Sequence, residues 1–208
     1  MKKIKKAFVS LTAAVISTAS LCIVPLASAG VSGKYKTYSC YFEAKPNTYI
    51  GLCEANTTYN TSNTEFYRNR NGNLGGDFSV INAGSGKISV EYRNSSPTKD
   101  SGYLGYVSFK TTSTYPEFKV TSLINDRGNN LIVNESIEII PVLIGDANQD
   151  GSVTIADSTA ILQSLGNPDR YGLSKKGKLA ADVNFDGVVT NADALLIQQL
   201  DAGMINGF

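Results

Sequence analysis

The stretch that decides the fold of this chain is Asp146-Ala147-Asn148-Gln149-Asp150-Gly151-Ser152-Val153-Thr154-Ile155-Ala156-Asp157. The pattern returns 36 residues later, without a gap, as Asp182-Val183-Asn184-Phe185-Asp186-Gly187-Val188-Val189-Thr190-Asn191-Ala192-Asp193. Both copies carry Asp, Asn and Asp at the first, third and fifth positions, Gly at the sixth, Thr at the ninth and Asp at the twelfth. An apolar pattern of helical period follows each copy, so the C-terminal part of the chain is predicted to contain two loop–helix repeats.

The spacing of these oxygen-bearing residues is typical of a loop that binds calcium. Ca2+ takes about six to eight oxygen ligands, and loops of this length supply them from positions one, three, five, seven, nine and twelve, with Gly at six for the sharp turn. The seventh position contributes only a backbone carbonyl, so Ser in one copy and Val in the other are equivalent. The sequence predicts two Ca2+ ions, one bound by Asp146, Asn148, Asp150, Ser152, Thr154 and Asp157 and the other by Asp182, Asn184, Asp186, Val188, Thr190 and Asp193.

Two features of these loops count against calcium binding. Asp157 and Asp193 stand where the longer carboxylate of Glu is usual. Asp, Asn and Gly also dominate ordinary polar turns for local hydrogen-bonding reasons, so a single copy would be compatible with a turn that binds no metal. Two copies in register, each leading into a predicted helix, favour metal binding.

The residues that flank the loops resemble a known family. Residues 137–145, before the first loop, are rich in β-branched residues and include Pro141, so they are not expected to form a helix. Each loop is therefore expected to be followed, but not preceded, by a helix. Two such repeats, joined by residues 171–181 that look like a short middle helix, resemble the dockerin type I module over residues 143–208. The resemblance implies bound calcium and docking into a cohesin module of a scaffoldin in a bacterial cellulosome.

The resemblance also implies which surface meets the cohesin. In the family, loop positions ten and eleven act together with helix positions seven residues later, and seven residues make two helical turns, so these positions share a face. The residues carried over are Ile155, Ala156, Leu162 and Gln163 in the first repeat and Asn191, Ala192, Gln198 and Gln199 in the second. Because Ile155 and Leu162 are apolar whereas the second set is rich in Asn and Gln, the first set is expected to dominate binding.

Internal packing is the alternative for the two apolar residues. Ile155 and Leu162 would then contact Val153 or the N-terminal region rather than a partner. Several neighbours on the two helices are expected in the core of the module, namely Ile161, Leu165, Leu196, Ile197 and Leu200.

Residues 1–29 are predicted to be a secretory signal peptide. Four lysines lie within the first six residues, an apolar stretch follows, and Ala27-Ser28-Ala29 forms a small-residue cleavage site before Gly30. The protein is therefore expected to be secreted rather than held in a membrane. Removal of the four lysines changes the formal net charge from +1 to about −3, which makes nucleic acid an unfavourable partner.

The two cysteines of the secreted chain are predicted to form a disulfide. Cys40 and Cys53 would close a short loop in a non-reducing compartment, and a loop of this length stabilises a protein by about 3 kcal/mol in the chain-entropy model. Two buried free thiols are the alternative, because many exported bacterial proteins lack disulfides.

Residues 30–140 have the pattern of an all-β sandwich. Seven or eight short strands are predicted between turn clusters rich in Gly, Asn and Pro, at about residues 34–42, 49–54, 78–81, 87–92, 103–112, 118–123 and 131–140. Apolar and polar residues alternate in residues 87–92, so one face of that strand is expected in the core. The run Leu104 to Lys110 is more apolar, as expected of a central strand.

The N-terminal region also resembles a family. The order of Gly86-Lys87-Ile88-Ser89-Val90-Glu91-Tyr92, then Ser101-Gly102-Tyr103-Leu104, then Val107-Ser108-Phe109-Lys110 resembles the cohesin and carbohydrate-binding-module superfamily of sandwiches. The chain has no His and no Trp, so imidazole chemistry and Trp–sugar stacking are excluded. Tyrosines are the remaining candidates for a sugar platform, although they are also ordinary strand residues: Tyr35, Tyr38, Tyr41, Tyr49, Tyr59 and Tyr67.

The sequence predicts a multidomain protein with a signal peptide (1–29), a β-sandwich (30–140) and a small all-α dockerin (141–208). Its acids in the β region lie in no recognisable catalytic motif, so it is expected to be a non-catalytic component that supports polysaccharide degradation as an adaptor, with the sandwich receiving another dockerin. A carbohydrate-binding module and a small enzyme or inhibitor are the alternatives. Only about five residues separate the two modules, so they are expected to pack as one body.

Overall fold

The computed structural model describes residues 34–113, 115–129 and 136–208. The predicted signal peptide and the first residues of the predicted strand at 131–140 lie outside this part. The described chain consists of an all-β region followed by a helical region: β1 Lys36–Ala44, β2 Leu52–Thr58, β3 Thr64–Asn71, β4 Asp77–Gly84, β5 Lys87–Arg93, β6 Gly102–Thr111, β7 Phe118–Ile124, β8 Ile137–Leu143, α1 Ile155–Gly166, α2 Pro168–Tyr171, α3 Lys175–Ala181 and α4 Asn191–Asp201. In these ranges no helix combines the length and the apolar character needed to cross a membrane.

The strands form two antiparallel sheets of four strands each. The first sheet has the order β3-β6-β1-β8 and the second the order β4-β5-β2-β7. Strand β6 lies inside the first sheet, as its apolar run predicts. The sequence did not predict strand β3, because it lies at a sheet edge and consists mostly of polar residues.

Side chains from both sheets form one buried cluster. Phe42, Leu104 and Phe109 contribute from the first sheet, and Ile88 and Val90 contribute from the second, each at most 1% exposed. The predicted alternation in residues 87–92 is confirmed, since the side chains between the buried residues of β5 remain partly accessible. Each such side chain contributes about 1.5–3 kcal/mol when it is removed from water, so this cluster holds the two sheets together.

The predicted disulfide is absent from the structure. Cys40 and Cys53 are both free and buried, at 0% and 2% exposure. Cys40 belongs to the first sheet and Cys53 to the second, and both lie in the shared cluster. The two residues therefore serve as small apolar side chains of the shared core.

The boundary predicted at residue 140 lies inside a strand. Strand β8 continues through Pro141 to Leu143 and pairs with β1, with Pro141 opposite Cys40. Proline is tolerated here because β8 is an edge strand, where one side makes no ladder hydrogen bonds. The first loop residue, Asp146, therefore follows the β region almost directly.

The short middle helix expected within residues 171–181 is present as α3, Lys175–Ala181. A separate four-residue helix, α2, precedes it and ends before Gly172. A Cβ at this position would lie 2.6 Å from the carbonyl oxygen of Pro168, so only glycine fits where the chain leaves α2. Ser174 then caps α3, with its hydroxyl accepting a hydrogen bond from the amide of Gly177 at 2.9 Å.

A second buried cluster joins the two regions. Tyr41 and Val142 project from the outward face of the first sheet and pack with Ala180, Phe185 and Ile197 of the helical region, all at most 7% exposed. The main chain adds hydrogen bonds across the same contact, such as Tyr35 N to Asn206 O at 3.1 Å and Gly145 N to Ala180 O at 2.8 Å. The expectation that the two regions pack against each other is confirmed.

Candidate metal loops and docking surface

The first loop is organised by its own oxygen atoms. The carboxylate of Asp146 accepts hydrogen bonds from the amides of Asp150 and Gly151, at 3.0 and 3.1 Å. The side-chain oxygen of Asn148 also accepts from Asp150 N at 2.9 Å, and Asp150 accepts from Ser152 N at 2.9 Å. Gly151 has a φ of 89°, which permits the turn that directs these amides inward. The loop backbone therefore curves so that the three predicted ligand side chains, of Asp146, Asn148 and Asp150, lie around one point.

The second loop repeats this arrangement bond for bond. Asp182 accepts from the amides of Asp186 and Gly187, at 3.1 and 2.9 Å. Asn184 accepts from Asp186 N at 2.8 Å, and Asp186 accepts from Val188 N at 2.9 Å. Gly187 has a φ of 90°. Because two segments with different residues at the intervening positions adopt the same geometry, the shared Asp, Asn and Gly residues set it.

The twelfth residue of each loop closes the loop onto its helix. Asp157 and Asp193 are fully buried. Each is the third residue of its helix and accepts the amide of the ninth loop residue, Thr154 or Thr190, in a capping box. The same two carboxylates reach back to the loop start, where they accept from Asn148 N at 3.1 Å and from Asn184 N at 3.3 Å. The short side chain of Asp suits this double role, although the general pattern has Glu.

The threonines at the ninth position act as helix caps. The Thr154 hydroxyl accepts a hydrogen bond from Ala156 N at 3.3 Å, and the Thr190 hydroxyl accepts from Ala192 N at 3.2 Å. The sequence predicted both as metal ligands. In the structure their hydroxyls satisfy amides of the first helical turn, which have no partner within the helix.

The electrostatics of the loops favour a bound cation. Burial raises the pKa of Asp157, and the nearby charges of Asp146 and Asp150 raise it further. Burial likewise raises the pKa of Asp182, with additional repulsion from the other two carboxylates of its loop. Negative charges that are held together and away from water are stabilised by a divalent cation. The loop residues therefore fit calcium in charge and in ligand type.

Carboxylates alone do not form the site. Within the part of the chain that the structure describes, no three Asp, Glu, His or Cys side chains are close enough together to hold a metal by themselves. Each loop would also use the amide oxygen of Asn148 or Asn184 and the main-chain carbonyl of Ser152 or Val188. Calcium binds carboxylate, amide and carbonyl oxygens alike, whereas softer metals prefer nitrogen and sulfur ligands.

The fourth position distinguishes the two loops. Gln149 and Phe185 both have positive φ values, of 65° and 60°. Gln149 is partly exposed and donates a hydrogen bond to the carbonyl oxygen of Asp146 within its own loop. Phe185 is 4% exposed and packs on the first sheet, so the second loop is part of the contact between the two regions. In the sequence, this difference is the presence of Phe185 at the position where the first loop has Gln149.

The predicted docking surface of the first repeat is exposed. Ile155 is 51% exposed and Leu162 is 42% exposed, on a face of α1 beside the one that carries the buried Ile161. Ala156 and Gln163 beside them are also exposed. The alternative of internal packing for Ile155 and Leu162 is therefore wrong, and α1 presents an apolar patch to solvent.

The second repeat matches its prediction less well. Asn191 and Ala192 are exposed and Gln199 is half-buried, whereas the side chain of Gln198 donates a hydrogen bond to the Ser158 hydroxyl at 2.8 Å and belongs to the contact between α1 and α4. Leu195, which the sequence analysis missed, is 53% exposed. It lies one turn after Asn191, so helical spacing alone could have placed it on this face.

Of the helix residues expected in the core, four are at least partly buried and one is not. Ile161, Ile197 and Leu200 are buried, and Leu196 packs partly buried against the second cluster. Leu165, near the end of α1, is 43% exposed and lines a cleft between the helical region and the first sheet.

Comparison with known proteins agrees with the loop geometry. Residues 144–200 match the family described as the dockerin type I domain, whose members bind calcium. A xylanase/beta-glucanase from Ruminococcus flavefaciens is 41% identical over 64 residues, a match that covers 26% of this chain. The chain spans only 8% of the length of that relative.

Solved structures similar to the chain include two cohesins. A non-cellulosomal cohesin from the archaeon Archaeoglobus fulgidus aligns with 48% of this chain and 75% of its own, at 17% identity and a TM-score of 0.39. The sixth cohesin of scaffoldin B from Acetivibrio cellulolyticus, solved with a mutant Cel5 dockerin, aligns with 50% of this chain and 85% of its own, at 13% identity and a TM-score of 0.39. Scores of this size do not establish a common fold. The family match and the paired loops together identify residues 144–200 as a dockerin type I domain.

Proposed function

We propose that this protein is a secreted, non-catalytic cellulosome component that docks to a cohesin module of a scaffoldin through its calcium-loaded dockerin domain. The observation that carries the proposal is the exposure of Ile155 and Leu162 on a helix whose opposite face is packed. Two large aliphatic side chains, seven residues apart on one face, form a patch that a partner protein would cover.

Two calcium ions are part of the proposal. The support for two ions is the repetition of one hydrogen-bond pattern, with six equivalent ligand positions, in both loops. Calcium would neutralise the three carboxylates of each loop and fix the start of each docking helix. Cohesin binding is therefore expected to require calcium, because the exposed patch depends on the position of α1.

The N-terminal region is proposed to be a non-catalytic β-sandwich that serves as an adaptor. Its two sheets packed on a single core support the sandwich. The helical region covers the outward face of the first sheet, so a second dockerin would have to bind the outward face of the second sheet. That face carries polar side chains from three strands, where Asn56 donates a hydrogen bond to the Thr121 hydroxyl and accepts one from the Ser89 hydroxyl.

Catalysis is the competing proposal. The Ruminococcus flavefaciens relative is named for activity on xylan and β-glucan, but the match covers only 8% of that protein. A hydrolysis screen of the purified protein on these polysaccharides tests this directly. Release of reducing sugar that is lost in a single-acid variant would replace the adaptor proposal with an enzyme.

Titration of cohesin modules into the purified protein tests the docking proposal. We expect saturable binding to at least one module of a cohesin panel in millimolar calcium, and none after EDTA. An exported protein with an unrelated β region and no dockerin is the control. Failure to bind any cohesin in calcium would contradict the proposal.

A further inference from the structure

A cleft of about 770 Å3 lies between the first sheet and the helical region. Strands β3 and β6 form one wall, and α1, α3 and the second loop form the other. Ligand sites in proteins occur preferentially at contacts between domains and in clefts of this size. Neither the docking surface on α1 nor the packing of the two regions accounts for this space.

The cleft carries two cations without a counterion. Arg70 and Lys178 line it and are exposed, and neither forms an ion pair with a described residue. The acids in the lining, Asp182 and Asp186, are held inside their loop. Asp182 accepts two main-chain amides, and Asp186 accepts the amide of Val188 and the side-chain amide of Asn184. The positive groups are therefore the ones available to a ligand.

Amide donors lie beside the cations. The side-chain oxygens of Asn71 and Asn73 accept the main-chain amides of Phe78 and Tyr103, at 2.8 and 2.7 Å. These bonds fix both side chains and leave each Nδ2 group without an acceptor among the described residues. Such groups suit hydroxyl and carboxylate oxygens of a ligand.

An aromatic side chain completes the lining. Tyr103 is half-buried, and Tyr41 meets its ring edge-on, with 5.5 Å between centroids and 64° between the planes. The ammonium of Lys175 also lies over the Tyr103 ring, 5.5 Å from its centroid, and within the described ranges no ring other than Tyr41 packs on Tyr103. By contrast, the ring of Tyr106 packs against the rings of both Tyr41 and Phe185. Of the two β6 tyrosines that line the cleft, Tyr103 therefore packs against fewer rings, and a sugar ring would lie on the part of it that Tyr41 and Lys175 leave open.

We propose that this cleft binds an acidic oligosaccharide, with a uronate carboxylate at Arg70 and Lys178. Hydroxyl groups would bind Asn71 and Asn73, and a ring would pack on Tyr103. Charge-assisted bonds to guanidinium and ammonium groups distinguish a uronate from a neutral sugar of the same shape. This inference rests on the proposed role of the protein in polysaccharide degradation, and it adds a glycan site that lies apart from the cohesin-binding face.

Calorimetry with two matched probes tests the inference. Trigalacturonate, which carries carboxylates, and galactotriose, which does not, are titrated into the full protein in millimolar calcium at low ionic strength. We expect trigalacturonate to bind at least tenfold more tightly than galactotriose, and binding to weaken as salt is added. Equal affinity for the two probes, or no binding of trigalacturonate, would overturn the inference.

Substitutions locate the site. Arg70→Glu and Tyr103→Ala are each expected to weaken trigalacturonate binding by about tenfold or more, and Lys119→Glu, on an exposed position of the second sheet, is the matched control and should leave it unchanged. Circular dichroism verifies folding of each variant. Retained binding by folded Arg70→Glu would refute the assignment.

The same variants separate this inference from the docking proposal. Arg70→Glu should bind cohesin as the unsubstituted protein does, and Ile155→Asp should bind trigalacturonate normally. Loss of cohesin binding alone would count against docking, whereas loss of glycan selectivity alone would count against the cleft.

Discussion

The ring of Phe185, in the second loop, stacks on the ring of Tyr106 in strand β6, with 6.2 Å between centroids and 20° between planes. The guanidinium of Arg68 lies on the same ring, 4.3 Å from its centroid. Burial raises the pKa of the Tyr106 hydroxyl, the charge of Arg70 opposes this, and the negative charge of Asp182, at the first position of this loop, adds to the increase. The second loop therefore contacts the β region through an aromatic side chain of its own, whereas the first loop contributes the smaller Ala147 and Val153 to the same buried cluster.

Phe185→Ala should loosen the contact between the two regions. Loss of a buried phenyl ring costs about 3 kcal/mol, because both the transfer free energy and the packing contacts are lost. We expect a lower thermal midpoint in calcium and a larger radius of gyration by small-angle scattering. Val188→Ala, at a position in the same loop that is 60% exposed, is the control and should change neither. An unchanged midpoint for Phe185→Ala would show that the ring contributes little.

Lys175→Ala should have a small effect on the same contact. Lys175 forms an ion pair with Glu43 of β1, but its side chain is 60% exposed, and such pairs contribute less than about 1 kcal/mol. The expected shift in thermal midpoint is therefore much smaller than for Phe185→Ala, and it should vanish at high salt. A shift as large as that of Phe185→Ala would mean that charge rather than apolar packing joins the two regions.

Calcium removal should unfold the helical region. Without a cation, three carboxylates in each loop repel one another, and only a small core remains to hold α1 and α4 together. We expect EDTA to reduce the helical circular dichroism signal and calcium to restore it. Magnesium at the same concentration should restore less, because it requires a smaller, more regular site.

Calorimetry of the chelator-treated protein measures the number of ions. The repeated loop geometry leads us to expect two Ca2+ per chain. A helical signal that does not respond to EDTA, or uptake of fewer than two ions, would contradict the role assigned to the paired loops.

Ile155→Asp should abolish cohesin binding, whereas Asn191→Asp should have a small effect. Ile155 is an exposed apolar residue in the first repeat, so a carboxylate there would have to be desolvated on binding. Asn191 at the equivalent position is already polar. Titration of the cohesin that binds the unsubstituted protein gives both affinities, and equal losses would show that the two repeats contribute alike.

The two thiols should be unreactive in the folded protein. Burial raises the pKa of Cys40 and of Cys53 to about 12, so the thiolate that reacts with Ellman's reagent is scarce at pH 8. In the chain without residues 1–29, we expect almost no reaction in the native state and two equivalents in guanidinium chloride without reductant. If no thiol reacts in guanidinium chloride and two thiols react only after reduction, Cys40 and Cys53 form a disulfide and the free-thiol assignment is wrong.

The loops were predictable because their structure is local. Asp and Asn side chains accept hydrogen bonds from amides within five residues, including that of Gly151, so the twelve-residue pattern carries its own geometry. The helices that follow were predictable for a related reason, since each begins in a capping box formed by residues of the loop itself. Strand β5 was also predictable, because the alternation of apolar and polar residues along it indicates which face is buried.

Other features depended on distant neighbours. The spacing of Cys40 and Cys53 suggested a disulfide, but the strands that carry them belong to different sheets. Strand β3 has little apolar character because it is an edge strand that pairs only with β6. Leu165 was expected in the core from its position on α1, and it is 43% exposed in the folded chain.

The sequence by itself determined the two loops, their internal hydrogen bonds and the helices that they start, because all of these follow from contacts between residues that are neighbours in the chain. Only the tertiary structure decided that Phe185 packs on Tyr106, that the dockerin domain covers one sheet, and that a cleft with Arg70 remains beside it. Burial and charge environment at such places depend on residues that lie far apart in the chain and meet only when the two regions pack together.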